Sequence, residues 1–346
     1  MSARLRRGAH DLAQLVEIAP ELELLRLVRR PAILRRLVPD LTSWSKARFD
    51  SAVAKNAESD AVVLGMPSAC LELFGRSHGL RVFHQVDGHP AVRNQALLEH
   101  YGAAAAGEVV PARDVDRINR EMDRADAVLT PSDVVAAGNV IQGVDPAKLI
   151  VEPYGVDLTS FRPAGPPTSR QRRSRRRLLF LGQISYRKGI PTLLAAAVGE
   201  DFELKLVGPV VEPHLLRDLP QNVTHTAALP AERLGALFDQ VDALVLPSVE
   251  DAFGLVVPEA LAAGLPVIAS TAVGAASVIG AGQGTVVPAG DAQALRAAMQ
   301  AVVVVSAEDR HRVSDLARAA RSTRSWQDYS DSVIKRVDAR IEGEQV

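Results

Sequence analysis

The sequence contains one cysteine, few aromatic residues and no long apolar run. Cys70 alone cannot supply a disulfide framework or a cysteine-based zinc site, which fits a reducing compartment. No stretch approaches the roughly 18 consecutive apolar residues that a spanning helix needs, and no signal peptide is apparent. We therefore expect a cytoplasmic protein.

An excess of charge of either sign is also missing. The 40 Lys and Arg residues balance the 41 Asp and Glu residues, and a formal net charge of −1 argues against a nucleic-acid-binding protein. No Gly-x-Gly-x-x-Gly motif follows a predicted strand, which argues against a nicotinamide oxidoreductase. What is present is a chain of 346 residues, 47% of them apolar, long enough for two domains that each have a core.

Residues 242–270 predict a strand, a loop, a helix and a second strand. Short apolar runs at 243–246 and 265–269 are typical of parallel strands buried on both faces. Pro258 is tolerated only near the first turn of the helix between them, and Gly264 suits the left-handed position after its end. The unit is a strand–helix–strand crossover, which we expect to be right-handed with parallel strands.

Two carboxylates flank the start of that helix. Asp251 lies just before it and Glu259 inside it, and the backbone N–H groups of residues 253–256 lie between them at the positive end of the helix dipole. Such N–H groups form an anion site, so one carboxylate could bind sugar hydroxyls and the other a ribose, with a diphosphate between them. An acidic helix cap plus a solvated Glu explains the same residues, and spacing alone leaves both interpretations open.

The same run resembles a known family signature. Asp251-Ala-Phe-Gly-Leu-Val-Val-Pro-Glu259, with Pro247-Ser248 before it and an Ala-x-Gly-x-Pro-Val segment after it, is similar to the acid-x7-Glu signature of retaining family 4 glycosyltransferases (glycosyl transferases group 1) of the GT-B fold. The family usually has Glu at the first position. Here Asp251 stands there, preceded by Glu250, and which of the two faces the sugar is open.

A second motif follows a predicted strand at 178–181. Gly182 and Gln183 begin a turn that leads through Arg187 and Lys188 into a predicted helix at 190–197. A glycine turn lets the backbone approach a phosphate, and basic side chains neutralise its charge. The stretch resembles the family's Gly-Arg-x4-Lys-Gly pattern: Lys188 matches the Lys, Gln183 replaces the Arg, and Arg187 is placed to restore the lost charge. A surface loop with incidental basic residues is the alternative.

Four strands are predicted in the N-terminal half, at 60–66, 80–85, 126–130 and 150–153. The polar loop 86–90 follows the second of them, at the sheet edge where open α/β proteins bind ligands. In the resembling family a His in this loop contacts the donor sugar. Asp87 falls nearest to that position and His89 comes two residues later; a histidine satisfied within its own loop is the alternative for His89.

The resemblance also implies a domain plan. Tyr154-Gly-Val-Asp157 followed by Phe161-Arg-Pro163 is similar to the family's interdomain segment, with Tyr154 in place of Asn. It implies two Rossmann-like α/β domains facing each other across a cleft. The opening strand and Gly-rich turn of the family are missing, which indicates either a misplaced start codon or a shortened N-terminal domain. We assign 1–164 to an N-terminal acceptor-side domain, 165–176 to a basic linker, 177–324 to a C-terminal nucleotide-sugar-binding domain and 325–346 to a terminal helix that packs back towards the N-terminal domain.

Two Arg-rich segments, 21–37 and 170–177, can attract an anionic membrane, which would place the protein peripherally at the inner face of that membrane. A solvated helix face and a solvated loop are the simpler interpretations. Asp114-Val-Asp116 mimics an Asp-x-Asp metal motif, but it lies in a polar, helix-like stretch and does not follow a strand. We therefore predict no metal site.

The resemblance implies a hexosyltransferase-type glycosyltransferase. It would move a sugar, with retention and without a metal or other cofactor, from a nucleoside diphosphate sugar to a glycan, lipid or small-molecule acceptor. Lys188 and Arg187 would stabilise the departing diphosphate, Glu259 would bind the ribose, and Asp251 or Glu250 the sugar hydroxyls. Asp87 completes the catalytic set, and the other donor contacts it implies are His89, Gly182, Gln183, Ala228, Leu229, Phe253, Gly254 and Leu255, with Ala228 and Leu229 near the nucleobase.

Other functions stay open on the same residues. A sugar-nucleotide epimerase has this fold, whereas a phosphorylase would carry a pyridoxal lysine, for which no signature is present. A degenerate, non-catalytic sugar-nucleotide-binding subunit is the second alternative, because Gln183 and Asp251 depart from the family pattern.

Overall fold

The computed structural model describes residues 42–56, 60, 62–163, 175–304, 306–319 and 322–342. The Arg-rich segment 21–37 and most of the predicted linker lie outside these residues. Within them the chain forms two α/β units, one built on a four-stranded sheet and the other on a six-stranded sheet. The two-domain α/β prediction is confirmed, and the N-terminal sheet is the smaller one.

The N-terminal unit alternates helices with parallel strands, which pair in the order β1-β2-β3-β4. Its elements are α1 (Thr42–Asn56), β1 (Val63–Gly65), α2 (Leu71–Arg76), β2 (Arg81–His84), α3 (Pro90–Tyr101), a 3₁₀ turn (Gly102–Glu108), α4 (Ala112–Arg124), β3 (Ala127–Thr130), α5 (Asp133–Ile141), a 3₁₀ turn (Pro146–Lys148) and β4 (Leu149–Val151).

Strand β1 departs from the prediction of a buried strand at 60–66. It is three residues long and lies at the edge of the sheet, and Leu64 is 54% exposed. The interior strand β3 is buried along its whole length. An edge strand has a neighbour on one side only, so an apolar run does not by itself tell edge from centre.

The C-terminal unit is a parallel sheet in the order β10-β9-β8-β5-β6-β7. Its elements are β5 (Arg176–Leu181), α6 (Ile190–Ala197), β6 (Phe202–Val207), a 3₁₀ turn (Pro213–Leu216), β7 (Val223–Thr226), a 3₁₀ turn (Ala231–Arg233), α7 (Leu234–Phe238), β8 (Ala243–Leu246), α8 (Val256–Ala262), β9 (Val267–Ser270), a 3₁₀ turn (Gly274–Val278), β10 (Gly284–Val287), α9 (Ala292–Gln300) and α10 (Ala307–Ala319).

The β8–α8–β9 crossover forms the centre of this unit. Strands β8 and β9 pair in parallel, as predicted, and every residue of both is buried. Gly264 ends the helix at a φ of 73°, and a Cβ there would lie 2.1 Å from the carbonyl oxygen of Arg310. Only glycine fits both the left-handed backbone and the close approach, so this position fixes where the chain turns into β9.

The last helix, α11 (Trp326–Ile341), returns to the N-terminal sheet. Val337 is buried in one apolar cluster with Val82, Leu129 and Ile150 of strands β2, β3 and β4. The C-terminal end of the described chain thereby covers a face of the N-terminal sheet. No helix in the described ranges is both long and apolar enough to cross a membrane.

A buried carboxylate ties α11 to the N-terminal unit. Glu152, directly after β4, is 2% exposed, pairs with Arg336 at 2.7 Å and with Arg324, and accepts a hydrogen bond from the Ser332 hydroxyl at 2.8 Å. Hydrogen-bonded carboxylate–arginine pairs of this kind hold α11 in a fixed position relative to the N-terminal unit. If one partner were lost, the charge of the other would be unpaired and poorly solvated.

We expect Glu152→Ala to lower the free energy of unfolding by about 3 kcal/mol, because it leaves two arginines at the interface without their carboxylate. Urea unfolding followed by circular dichroism measures the change. Glu99→Ala, which removes an exposed carboxylate from α3, is the control and should stay within about 0.5 kcal/mol of the parent. Equal unfolding free energies for the two variants would show that Glu152 does not anchor the helix.

Candidate functional site

A cavity of about 280 Å³ lies where the loops after β5 and β8 meet the N-terminal unit. We call it the cleft cavity. Seven of the residues singled out from the sequence line it, and they come from both units: Asp87, Arg187, Lys188, Asp251, Phe253, Gly254 and Leu255. The remaining lining residues are Val86, Tyr154, Leu181, Leu246, Ala252 and Val256.

The backbone at the start of α8 forms one wall of the cleft cavity. Gly254 has a φ of 82°, and a Cβ there would lie 2.8 Å from Cγ1 of Val273 and 3.0 Å from Cδ2 of Leu246. Glycine therefore lets the chain turn tightly between β8 and the helix. The first N–H groups of a helix have no partner within the helix, so this wall offers hydrogen-bond donors to a bound group.

Lys188 and Asp251 form an ion pair inside the cavity. Lys188 Nζ lies 2.5 Å from Asp251 Oδ2, and their side chains are 14% and 8% exposed. The Asp251 backbone is fixed as well, because its N–H donates to the carbonyl of Ala272 and its carbonyl accepts from the N–H of Gly274. The two predicted groups are thus brought into contact, and the carboxylate is held rigidly at the cavity wall.

Glu250 faces a different direction from Asp251. It pairs with Arg187 at 3.3 Å, and a Cβ on Gly88 of the N-terminal unit would lie 2.4 Å from its Oε1 atom. Burial raises the pKa of Glu250, and the nearby guanidinium of Arg187 opposes that rise. Of the two acidic residues between which the sequence left the choice open, Asp251 lines the cavity and Glu250 packs against the opposite unit.

Asp87 lines the cleft cavity and also a second, larger cavity of about 450 Å³. We call this the N-terminal cavity, because all of its lining residues belong to that unit. They are Lys46, Pro67, Ser68, Phe83, Gln85, Asp87, Gly88, Pro90, Arg93, Val110, Pro111, Arg113, Asp114, Ile118 and Met122. Asp87 stands where the two cavities meet, so groups bound in each would approach one another there.

His89 lies in the interior and caps helix α3. Its Nδ1 accepts a hydrogen bond from the N–H of Ala91 at 3.2 Å, and its Nε2 lies 2.9 Å from Oδ1 of Asn119. Burial lowers the pKa of this imidazole. Both ring nitrogens are therefore engaged within the N-terminal unit, and His89 is not among the residues that line the cleft cavity.

Four other predicted donor contacts do not line the cleft cavity. Gln183 is exposed and Gly182 is half-buried, directly after β5. Ala228 and Leu229 follow the edge strand β7, at the same carboxyl edge of the sheet but two strands away from β5. The structure therefore brings the charged residues together and leaves these four at the periphery of the same sheet edge.

Glu259 lies on α8, one turn beyond the lining residue Leu255. Burial raises the pKa of its carboxyl from 4.5 to about 7. No hydrogen bond or ion pair joins its side chain to the part of the chain that the structure describes. A carboxyl with a pKa near 7 and a free hydrogen-bonding capacity is suited to bind hydroxyl groups.

Two residues that the sequence analysis did not assign to the donor site contribute to it. Tyr154 lines the cavity within an aromatic group, 5.2 Å from Phe253 and 5.5 Å from Tyr329 between ring centroids, and its buried hydroxyl has no partner among the described residues. Glu108 reaches from the N-terminal unit to the backbone of Tyr186 and Arg187. The replacement of Asn by Tyr154 was visible in the sequence, whereas no motif marks Glu108.

The Asp-x-Asp segment lies within helix α4. Asp114 is 3.8 Å from Arg113, and Asp116 pairs with Arg120 at 3.1 Å. Over the described ranges, no three His, Cys, Asp or Glu side chains are arranged to hold a metal ion.

Comparison with known proteins identifies a family that matches the C-terminal part of the chain. Residues 166–320 match the family model described as Glycosyl transferases group 1. The chain is 32% identical over 232 residues to the D-inositol 3-phosphate glycosyltransferase of Kineococcus radiotolerans, covering 58% of this chain and 52% of that protein. It is 29% identical over 263 residues to the Mycobacterium tuberculosis (strain F11) enzyme of the same name, covering 70% and 54%. The chain spans about half the length of the curated relatives it matches.

Solved structures give the fold. The chain superposes on sucrose-phosphate synthase from Thermosynechococcus elongatus with a TM-score of 0.69 at 20% identity, covering 89% of this chain and 81% of that one. It superposes on Anabaena Alr3699/HepE in complex with UDP and glucose with a TM-score of 0.64 at 16% identity, covering 87% and 84%. The chain has the GT-B fold, and its residues 166–320 match the glycosyl transferases group 1 family.

Proposed function

We propose that the protein transfers a hexose from a nucleoside diphosphate sugar to an acceptor hydroxyl, with retention and without a metal cofactor. The observation that carries this proposal is the convergence of Lys188, Arg187, Asp251 and the start of α8 on one cavity between the two units. Two cations and a helix start suit a diphosphate, and a rigid carboxylate beside them suits sugar hydroxyls.

The donor would enter the cleft cavity with its diphosphate against Lys188 and the backbone of residues 253–256. Its sugar hydroxyls would donate hydrogen bonds to Asp251, and Glu259 would bind the ribose. Anabaena HepE has been solved in complex with UDP and glucose and in complex with UDP-glucose. UDP is therefore the first nucleotide to test, and GDP and ADP are its competitors.

Departure of the diphosphate limits glycosyl transfer, so the groups that stabilise it supply most of the catalysis. Lys188 and Arg187, held in a largely buried site, stabilise the developing negative charge more strongly than they would in water. We assign Asp251 hydroxyl binding and not nucleophilic attack, because its backbone is held at the cavity wall and its Oδ2 atom is directed at Lys188. The acceptor oxygen then bonds to the anomeric carbon on the face from which the diphosphate leaves, and a diphosphate oxygen takes the acceptor proton.

The acceptor would occupy the N-terminal cavity, with its reacting hydroxyl at Asp87. The lining of the cavity is partly apolar and partly polar, and its lining residues Lys46 and Arg113 are exposed. Relatives of the chain are named for D-inositol 3-phosphate, and a structural neighbour is a sucrose-phosphate synthase. A small polyol or sugar that carries a phosphate is therefore the first acceptor class to test. Peripheral membrane contact through the Arg-rich segments stays a prediction, because those segments lie largely outside the described residues.

We expect one nucleoside diphosphate out of UDP, GDP and ADP to raise the melting temperature without magnesium, because a ligand that binds the folded state stabilises it by mass action. Lys188→Ala should weaken this binding about 10- to 100-fold, the loss typical of a charged hydrogen bond of 1.5–3 kcal/mol. Thermal shift and isothermal titration calorimetry measure both effects. Lys335→Ala, which removes an exposed lysine from α11, is the matched control and should bind like the parent.

The outcomes separate the functions that share this fold. Failure of the unmodified protein to bind any of the three nucleotides would contradict the proposal. Binding accompanied by hydrolysis or isomerisation of the donor without any acceptor would favour an epimerase. Binding without turnover of UDP-glucose on a panel of phosphorylated polyols would favour a non-catalytic binding subunit.

Affinity for the nucleotide sugar should rise with pH through about 7, because the Glu259 carboxyl has a pKa of about 7 and its ionised form is the stronger acceptor for ribose hydroxyls. The doubly esterified diphosphate of the ligand does not titrate in this range, so titration calorimetry with UDP-glucose between pH 6 and pH 8 (about one unit on each side of that pKa) isolates the carboxyl. Glu259→Gln should flatten the profile. An unchanged pH dependence in that variant would remove Glu259 from the site.

The contribution of Glu259 to the stability of the protein should decrease as the pH rises, whereas the affinity for the nucleotide sugar should increase. The folded-state pKa of about 7 lies above the ordinary value of 4.5, so the folded protein binds more protons than the unfolded chain between these values. The contribution of Glu259 to the free energy of unfolding therefore falls as pH rises from about 4.5 to 7. Glu259→Gln should remove that decline in urea unfolding experiments.

A further inference from the structure

The carboxylate of Glu108 crosses from the N-terminal unit to the loop that carries Lys188. Its Oε1 accepts the N–H of Tyr186 at 2.6 Å and its Oε2 accepts the N–H of Arg187 at 3.1 Å. Glu108 is 9% exposed. Two backbone donors therefore share one buried carboxylate, a charge-assisted arrangement stronger than ordinary backbone hydrogen bonds.

Helix α3 holds Glu108 in place. Arg93 donates to the carbonyl of Glu108 at 3.0 Å, and the side chain of Asn94 both donates to and accepts from the backbone of Val110, at 2.8 Å each. The backbone is thus tied to α3 at Glu108 and again two residues later. The carboxylate is presented in a fixed position and does not hang from a free loop.

An apolar contact surrounds these hydrogen bonds. Leu97 and Ala105 of the N-terminal unit are buried in one cluster with Tyr186 and Val249 of the C-terminal unit. The hydroxyl of Tyr101 lies 2.8 Å from the hydroxyl of Thr192 on α6. Because the contact excludes water, the carboxylate–amide hydrogen bonds are stronger than they would be at an exposed surface.

The loop is held from its other side by its own unit. The carbonyl of Arg187 accepts the N–H of Val249 at 2.9 Å, and the carbonyl of Tyr186 accepts the N–H of Gly189 at 2.9 Å. Residues 186 and 187 therefore have both their N–H and their C=O groups bonded. With the backbone fixed on both sides, the directions in which the Arg187 and Lys188 side chains leave it are fixed as well.

We infer that Glu108 is a positioning residue for the donor site: it binds the backbone of the loop from the opposite domain and thereby keeps Lys188 and Arg187 aimed at the cleft cavity. The inference rests on the proposed function for the identity of the ligand. It adds a link between the cavities, because Val110 and Pro111, which directly follow this anchor, line the N-terminal cavity. One set of hydrogen bonds therefore joins the loop that carries Lys188 to the wall of the N-terminal cavity at Val110 and Pro111.

Glu108→Gln tests the role with little change of volume. An amide offers one acceptor oxygen where the carboxylate offers two, and its NH₂ group would face a backbone N–H. We expect the affinity for UDP, measured by titration calorimetry, to fall about 10-fold, as for the loss of one charge-assisted hydrogen bond. Glu108→Asp, which keeps two acceptor oxygens, should recover part of the loss, and Glu99→Gln should bind like the parent.

A purely structural role would lower the melting temperature and leave the affinity of the folded protein unchanged, and that result would overturn the inference. Tighter UDP binding in Glu108→Gln would also overturn it, because the carboxylate would then compete with the diphosphate for the same N–H groups. Inorganic pyrophosphate is the second probe, since it reports on the loop without a nucleobase. We expect the same ranking of variants with it.

Amide hydrogen exchange keeps this test separate from the proposed function. The N–H groups of Tyr186 and Arg187 should exchange slowly in the parent and faster in Glu108→Gln, whether or not a nucleotide binds. Slow exchange in the parent together with no nucleotide binding would contradict the proposed function and support the Glu108 contact. Equal exchange rates in both proteins would overturn the contact itself.

Discussion

The pairing of β5 with β8 is the constraint on which the site depends. Leu178 is in register with Ala243 and Leu179 with Leu244, so the two parallel strands end side by side and their loops leave the same edge of the sheet. At Gly189, with a φ of 73°, a Cβ would lie 2.0 Å from the carbonyl oxygen of Pro247. The loops therefore touch through their backbones, and the contact between Lys188 and Asp251 follows from the order of the strands.

Two buried carboxylates lie at the contact between the two units. Glu108 extends from the N-terminal unit to the donor loop, and Glu250 extends in the opposite direction to lie against Gly88. Removing such groups from water is costly, and each is compensated by its own donors, the backbone N–H groups for Glu108 and Arg187 for Glu250. Compensation of Glu108 requires both units to be in place, because its two N–H donors belong to the C-terminal unit. The geometry of the loop that carries Lys188 therefore depends on the packing of the two units.

Much of the fold could be predicted from the sequence, because apolar residues recur with a regular period in its helices and form short continuous runs in its buried strands. Helix Ile190–Ala197 and strand Ala243–Leu246 have the predicted bounds, and the terminal helix Trp326–Ile341 lies within the predicted segment 325–346. Helix α10 was not predicted, since it buries few apolar residues, among them Val313 and Ala317. The spacing of residues in local motifs predicted Lys188 and Asp251 as site residues. The contact of Glu108 with residues about eighty positions away exists only in the packed structure, and no sequence pattern encodes it.

The balance of charge in the cleft cavity bears on how a donor would be chosen. Two cations, Arg187 and Lys188, and two carboxylates, Asp87 and Asp251, line it, and Lys188 is already paired with Asp251. A diphosphate that takes Lys188 as its partner leaves Asp251 as a buried carboxylate without a counterion, which is unfavourable unless new donors reach it. A sugar on the same diphosphate supplies those donors through its hydroxyls, and a bare nucleoside diphosphate does not. On the proposed function, the ion pair therefore favours the intact donor over the nucleotide product and helps that product to leave.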